Sequence, residues 1–309
     1  MTVRVAVCVA TCGRPDGLGR LLDGLRAQVV DAAVRVVVID NDAAGPARAQ
    51  CAAADGPWYA LGLRYAVEPR RGITYARNHA VSLAGDDVDF LAMIDDDEVP
   101  DPDWLAELVR VQAEYDADIV TGPVLPYFAE PVPGWVHDGR FFDRPRYTTG
   151  HRLPHAHTHN VLVRRAVFAA TGEFDNRFAL TGGEDLEFFR RAAGRGFSVV
   201  WSDDARVREW VPASRATAGW LLRRAYRSGT TLGLVDRDRA DVARARVGRF
   251  VRGAGRLTQG VILAPLAALP PRGQTVRLIR AMQLVCRGAG MIAGVMGNRY
   301  EEYRTIHPV

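Results

Sequence analysis

Lysine is missing from this chain: all 40 basic residues of the 309 are arginines. We read that absence as the mark of a GC-rich coding sequence rather than of a function. Against 36 acidic residues the net charge is only +4, too mild to imply a nucleic-acid partner. Cysteine is scarce: the four residues Cys8, Cys12, Cys51 and Cys286 form no CxxC pair. That argues against a disulfide framework or a zinc knuckle and for reduced thiols in a cytoplasmic protein. No apolar run reaches the ~18 residues of a spanning helix. The segments 260–269 and 291–296 come nearest and are too short. Residues 1–10 alternate like a strand rather than a signal peptide. Internal repeats and low-complexity segments are also lacking, and a chain of this size can bury a substantial core.

What is present begins as alternating strands and helices. Strand patterns occupy 3–10, 34–39, 63–67 and 88–94; helical ones occupy 16–28, 46–54, 73–83 and 104–115. Such alternation predicts right-handed βαβ units and a mostly parallel sheet, an α/β fold. Open sheets of this kind place ligands beyond the carboxyl ends of their strands. Polar residues gather at those ends: Thr11 and Arg14, Asp40 and Asp42, Glu68 and Arg71, then Asp95-Asp96-Asp97-Glu98. Further strands are predicted over 118–127, 158–163, 197–201 and 206–211, with a helix over 184–194. Residues 128–156 are rich in proline, aromatics and arginine without a clear period, which suggests a functional loop. From 214 onward the pattern is helical and arginine-rich.

The four consecutive acids follow the apolar run Phe90–Ile94 directly. Carboxylates crowded there repel one another and are costly to desolvate singly. A hard divalent cation, Mg2+ or Mn2+, shared with nucleotide phosphates would resolve the conflict. A solvated turn before Pro100 and Pro102 is the other reading. Asp40 could accept a hydrogen bond from a base or close an Asx turn. Glu184-Asp185, after Thr181-Gly182-Gly183, could be an acid–base pair or simply acids suited to a helix start. His155, His157 and His159 alternate and could line one strand face or hold zinc.

The ordered set VATCGRP, VVVIDND, GITYARN, FLAMIDDDEVP, HNVLVRRAVFAATGEFDNRF and GGEDLEFFRR resembles the family 2 glycosyltransferases over about residues 3–235. The tail, with VPASRATAGWLLRRAYRSG and GNRYEEY, is similar to the bacterial succinoglycan glucosyltransferase type. The resemblance implies a GT-A fold in residues 1–213, with a nucleotide-sugar half (1–98) and an acceptor half (99–213), before a helical extension (214–309). It implies a nucleotide-diphosphate sugar donor, here taken as a UDP-hexose, a divalent metal, and inversion at the anomeric carbon. Thr11, Arg14, Asp40, Arg77, Asn78, Asp95 and Asp96 then fall on the donor. Asp97 falls on the metal, with Asp96 in its place if the loop is not extended. Asp185 becomes the general base, with Glu184 as its alternate or as a contact to acceptor hydroxyls. His159, Asn160, Glu209 and Trp210 are assigned to the acceptor or diphosphate region.

Two rivals stand beside this reading. A nucleotidyltransferase of similar fold would want a glycine-rich basic loop after the first strand, to which Thr11–Pro15 is only faintly similar. A non-catalytic nucleotide-sugar binder would have lost the base or the metal ligand. The acceptor could be a lipid-linked sugar or a small metabolite. Trp135, Phe141, Phe142, Arg144, Arg146 and Tyr147 suggest a sugar-stacking surface or a lid. Arg223, Arg224 and Arg227 could meet a lipid diphosphate or the inner face of the membrane, or be the solvated face of a homodimer.

Overall fold

The structure, a computed structural model, describes residues 2–237, 242–267, 269 and 273–304. The chain divides into two compact units. The first runs up to Tyr127, resumes over Arg144–Trp210 and takes in Tyr303; the second comprises Phe128–Asp143 and Val211–Glu302. Part of the irregular stretch, Phe128–Asp143, thus belongs to the second unit.

Strand β1 (Val3–Thr11) is followed by α1 (Pro15–Arg26), β2 (Ala32–Asp40), α2 (Arg48–Ala54), β3 (Leu63–Val67) and α3 (Ile73–Leu83). Next come β4 (Phe90–Met93), β5 (Glu98–Pro100), α4 (Trp104–Tyr115), β6 (Ile119–Thr121) and β7 (Val124–Tyr127). Helix α5 (Gly134–Asp138) lies in the second unit. The first then continues with β8 (Val161–Arg164), α6 (Arg165–Thr171), α7 (Glu184–Gly194), β9 (Val199–Trp201) and β10 (Val207–Trp210). Seven strands form the main sheet in the order β3-β2-β1-β4-β8-β6-β9. It is mostly parallel, with β8 antiparallel to both its neighbours. A small sheet has the order β5-β10-β7.

Parallel strands covered on both faces need continuous apolar runs. In β1, Val5, Val7 and Val9 meet Leu18, Leu21 and Leu22 of α1 and Leu105 and Leu108 of α4 on one face. Ala6 and Cys8 meet Ala76 and Ala80 of α3 and Phe188 and Phe189 of α7 on the other. Arg35, an anomaly inside β2, is buried and donates to the Ala84 carbonyl and the Asp87 carboxylate.

The register aligns Thr11 with Asp40, Cys8 with Met93, and Met93 with Val161. The carboxyl ends of β1, β2 and β4 thus share one edge with the start of antiparallel β8. Residues just before Val161 consequently reach the same rim as the acid cluster.

One predicted strand, 118–127, is two strands in different sheets. Pro123 has no N–H for the ladder, and Gly122 passes so close to Ala205 that a Cβ would lie 2.3 Å from its carbonyl oxygen. Predicted strand 158–163 begins only at Val161, because Asn160 takes a left-handed conformation (φ 57°).

The second unit holds α5 with α8 (Ala218–Arg237), α9 (Val242–Ala267) and α10 (Gln274–Val295). Glycines bring the last three into backbone contact; a Cβ on Gly290 would lie 2.1 Å from the Tyr226 carbonyl. The aromatics expected to stack a sugar are spent here on packing. Phe142 is buried, stacked on Trp220 and edge-on to Phe128, while Trp135 meets Phe141 edge-on. Arg224 lies over the Phe142 and Trp220 rings, and Arg227 pairs with Glu302. In the first unit Tyr147 stacks on His151 and Arg146 pairs with Asp203. Of these rings Phe142 is buried, Trp135 and Phe141 are half-buried, and Tyr147 is 36% exposed.

Asn160 illustrates how the rim is held. It is fully buried, its Oδ1 accepts from Trp104 Nε1 at 2.7 Å, and its Nδ2 donates to the carbonyls of Pro123 and Ala205. Losing three buried bonds in Asn160→Ala is expected to destabilise the protein by about 3–5 kcal/mol. Asn160→Asp, which turns a carboxylate on two carbonyls, should cost as much. Urea denaturation checks both, and an Asp variant as stable as the parent would contradict the assignment.

Candidate active site

The four acids at the end of β4 have four different fates. Asp95 keeps a side chain 41% exposed and accepts from Arg77 at 3.0 Å. Asp96 turns inward, where Thr11 Oγ1 donates to it at 2.8 Å and Arg14 at 3.0 Å. Burial, together with the neighbouring acids Asp97 and Asp95, outweighs Arg14 and raises its pKa to about 6. Asp97 is 13% exposed and accepts from Arg14 at 3.2 Å, while its carbonyl accepts from the Trp210 N–H. Glu98 is buried and accepts from the Asp95 N–H; burial, then the Asp95 charge, pushes its pKa well up.

Asp95 and Asp97 are hard oxygen donors at the rim. Among the described residues no group of three or more His, Cys, Asp and Glu is arranged to hold an ion. A closed protein cage is thus missing, which disfavours the zinc reading of the histidines; their rings stack, His157 on His159 at 5.2 Å, instead of converging. One or two carboxylates completed by substrate phosphates fit Mg2+ or Mn2+.

Arg77, on α3, is buried and bridges Asp95 to Glu184 at the start of α7. Glu184 is itself buried, and that burial raises its pKa to about 7, against the lowering pull of Arg77. The helix is entered through Gly182 (φ 72°) and Gly183 (φ 100°), a left-handed path open to glycine. Asp185 follows at 20% exposure; its Oδ2 contacts His157 Nδ1 at 2.8 Å and its Oδ1 accepts from the Leu186 N–H. Burial alone would raise the Asp185 pKa, but the His157 charge and hydrogen bond, then Arg77, bring it down to about 2.

Several predicted site residues are engaged elsewhere. Asp40 is fully buried, accepting from the N–H groups of Asp42 and Ala47 and from the Tyr65 hydroxyl. The Asx turn is thus formed, and the carboxylate faces its own chain rather than a base. Asn78 uses its amide in both directions on the Phe174 backbone. Asn160, as above, has its amide committed to the fold, so it does not offer it to an acceptor or diphosphate. Thr11 and Arg14 secure the acid cluster. Glu209 pairs with Arg144 at 2.6 Å, and Trp210 packs on Tyr127 beneath Arg20.

Sequence reasoning gives no site role of their own to three residues, His157, Arg71 and Tyr303. His157 was grouped with its histidine neighbours, and no local pattern links it to Asp185, 28 positions on. Arg71 donates to the Asn41 and Tyr303 carbonyls and to Cys12 Sγ. Tyr303, from the chain's end, donates its N–H to the Leu180 carbonyl and lies against Gly182. A cavity of about 310 Å3 lined by Glu68, Tyr75, Asn78, His79, Glu173 and Asn176 stands apart from the acid pair.

Comparison with known proteins gives the family and the fold. Residues 6–172 match the model of glycosyl transferase family 2, and residues 90–291 that of glycosyl transferase family group 2. The chain is 33% identical to the succinoglycan biosynthesis protein ExoM of Rhizobium meliloti, over 98% of this chain and 96% of that protein. It is 25% identical to a glucosyl-dolichyl phosphate glucuronosyltransferase of Haloferax volcanii, over 76% and 78% of the two chains. The crystal structure of S. aureus TarS 1–349 in complex with UDP-GlcNAc superposes with a TM-score of 0.54 at 15% identity, covering 97% of this chain and 93% of that one. At that identity the likeness speaks for the fold alone, a GT-A fold. The chain belongs to the family 2 glycosyltransferases.

Proposed function

We propose that the chain moves a hexose from UDP to a hydroxyl of a lipid-linked sugar, with inversion, using Mg2+ or Mn2+. The observation that carries this reading is the Arg77 bridge, which holds the donor-side acid Asp95 and Glu184, the neighbour of Asp185, on one guanidinium. An inverting displacement needs a base on one face of the anomeric carbon and a stabilised leaving group on the other.

Asp97, with Asp95, would hold the metal, which when bound neutralises charge on the departing diphosphate. Arg77 keeps Asp95 oriented at the rim. The Asp185 end of the site supplies the base for the acceptor hydroxyl. Glu184, buried on Arg77 with its pKa raised by desolvation, is suited to hydrogen-bond acceptor hydroxyls. Family membership sets the nucleotidyltransferase aside, and the acids a mere binder would have lost are in place.

Two relatives support the acceptor class: one is named for succinoglycan biosynthesis, the other for a dolichyl phosphate-linked sugar. The helices of the second unit support a cytoplasmic enzyme resting on the inner face of a membrane. Helix α9 carries five arginines and α10 three, with no acidic residue in either. Val247, Val251, Ile262 and Leu266 of α9 are exposed, each to more than half. Exposed apolar side chains among arginines suit an anionic lipid surface. By length and composition α10 could also cross a membrane, but it packs against α8 and α9.

Asp185→Asn is expected to lower the transfer rate by roughly 100- to 10,000-fold while leaving UDP affinity nearly unchanged; full transfer by this variant would remove the base assignment. In vesicle co-sedimentation the full chain should bind phosphatidylglycerol in preference to phosphatidylcholine. Val251→Glu with Ile262→Glu should weaken that binding, and equal binding to both lipids would contradict the anionic-surface reading.

A further inference from the structure

We infer that Tyr303 and the outer oxygen of Glu184 form the subsite that holds a sugar ring of the acceptor, with the Tyr303 ring as its aromatic wall. This rests on the reading that the chain transfers a sugar to an acceptor hydroxyl, and it keeps the base at Asp185.

Glu184 supplies the first observation. Its side chain is 2% exposed, and its Oε1 takes Arg77. Its Oε2 is also buried and has no hydrogen-bond partner among the described residues. Buried side-chain oxygens are nearly always paired, so an orphan of this kind at a site rim points to a ligand. A sugar hydroxyl both donates and accepts. It can therefore satisfy this oxygen whether Glu184 is ionised or protonated.

Tyr303 brings an aromatic ring to the same place. Its N–H donates to the Leu180 carbonyl at 3.0 Å, and its carbonyl accepts from Arg71 Nε at 2.9 Å. Both main-chain groups are thus anchored in the first unit, one on the loop leading to α7 and one just before α3. The half-buried ring is held against Gly182. The point where a Gly182 Cβ would sit lies 3.3 Å from Tyr303 Cε2 and 4.0 Å from Glu184 Oε2. Apart from the chain neighbours of Gly182, no other heavy atom of the described residues comes within 4 Å of that point. The glycine that permits the left-handed turn (φ 72°) also leaves room between ring and carboxylate.

An aromatic wall beside one placed polar atom suits a sugar. The ring covers C–H groups, and the oxygen fixes a hydroxyl. Asp185 is the next residue after Glu184 and is 20% exposed. A pyranose held by Tyr303 and Glu184 turns one hydroxyl to Glu184 and presents a second to the Asp185 carboxylate. The reacting hydroxyl of the acceptor is therefore one on a sugar ring, not that of a simple alcohol.

The test is titration of the full chain, loaded with UDP and Mn2+, with methyl β-glucoside, methyl β-galactoside and methyl β-mannoside, followed by saturation-transfer NMR. At least one of these glycosides is expected to bind the wild-type chain. Its affinity should fall roughly 10-fold in Tyr303→Ala and in Tyr303→Leu, which keeps bulk over Gly182 without the ring. Tyr303→Phe, which keeps the ring, should bind it almost as well as the wild type. UDP affinity should be nearly unchanged in Tyr303→Leu, and thermal melting separates lost affinity from lost fold. No glycoside binding by the UDP-loaded wild-type chain would overturn the proposal. So would wild-type glycoside affinity in Tyr303→Leu, or an equal fall in its UDP and glycoside affinities, which would make Tyr303 a packing residue. Glycoside binding through Tyr303 in a folded chain that binds no UDP would instead overturn the transfer reading, and this inference with it.

Discussion

The buried guanidinium of Arg77 is the interaction on which the rest of the site depends. It sits on α3 and accepts no compromise in its partners: Asp95 arrives from the end of β4, Glu184 from the start of α7. Removing one member of a buried charge pair typically costs about 3–5 kcal/mol, because the other is left uncompensated. Here buried Glu184 would be stranded, and the half-exposed Asp95 would lose its partner. Without Arg77 the desolvated Glu184 would be driven to protonate and α7 would lose its anchor to the sheet rim. One side chain therefore ties Asp95 at the end of β4 to Glu184 at the start of α7.

Arginine also settles the conflict posed by four adjacent acids. Arg14 takes Asp96 and Asp97, Arg77 takes Asp95, and burial keeps Glu98 protonated to a pH well above the usual carboxylate range. The loop can thus fold before any cation arrives. A shared ion would then join a rim already built, which suits a metal that comes and goes with the nucleotide. The same reliance on arginine appears at Glu209 with Arg144 and at Asp203 with Arg146. Of the irregular stretch, Phe142 is buried in the second unit's own core, with Phe128 and Phe141 half-buried against it.

Much of this could be read from the chain. Apolar runs and 3.6-residue spacing located β1, β3, α3, α4 and α7 to within a residue or so, and strand-end logic located the rim. The acids 95–98 and 184–185 and Arg77 were all visible as candidates. The rest depended on tertiary facts that local patterns do not carry. The split of β6 from β7 hinges on the approach of Ala205 to Gly122. The inward turn of Asp40 depends on Tyr65 and Ala47, and the left-handed Asn160 depends on Trp104. The pairing of His157 with Asp185 arises because β8 runs antiparallel, which returns residues 155–160 to the rim where the parallel strands end. No periodicity announces an antiparallel strand inside an otherwise parallel sheet.

The most direct test of the account is calorimetric titration of the purified chain with UDP, GDP and dTDP, with and without Mn2+. The account predicts that UDP binds best, that Mn2+ tightens its binding, and that Asp97→Asn abolishes the gain from Mn2+ while the fold is kept. Binding of UDP that is indifferent to Mn2+ would contradict the role given to the acid cluster, and folded protein that binds none of the three nucleotides would contradict the donor site itself.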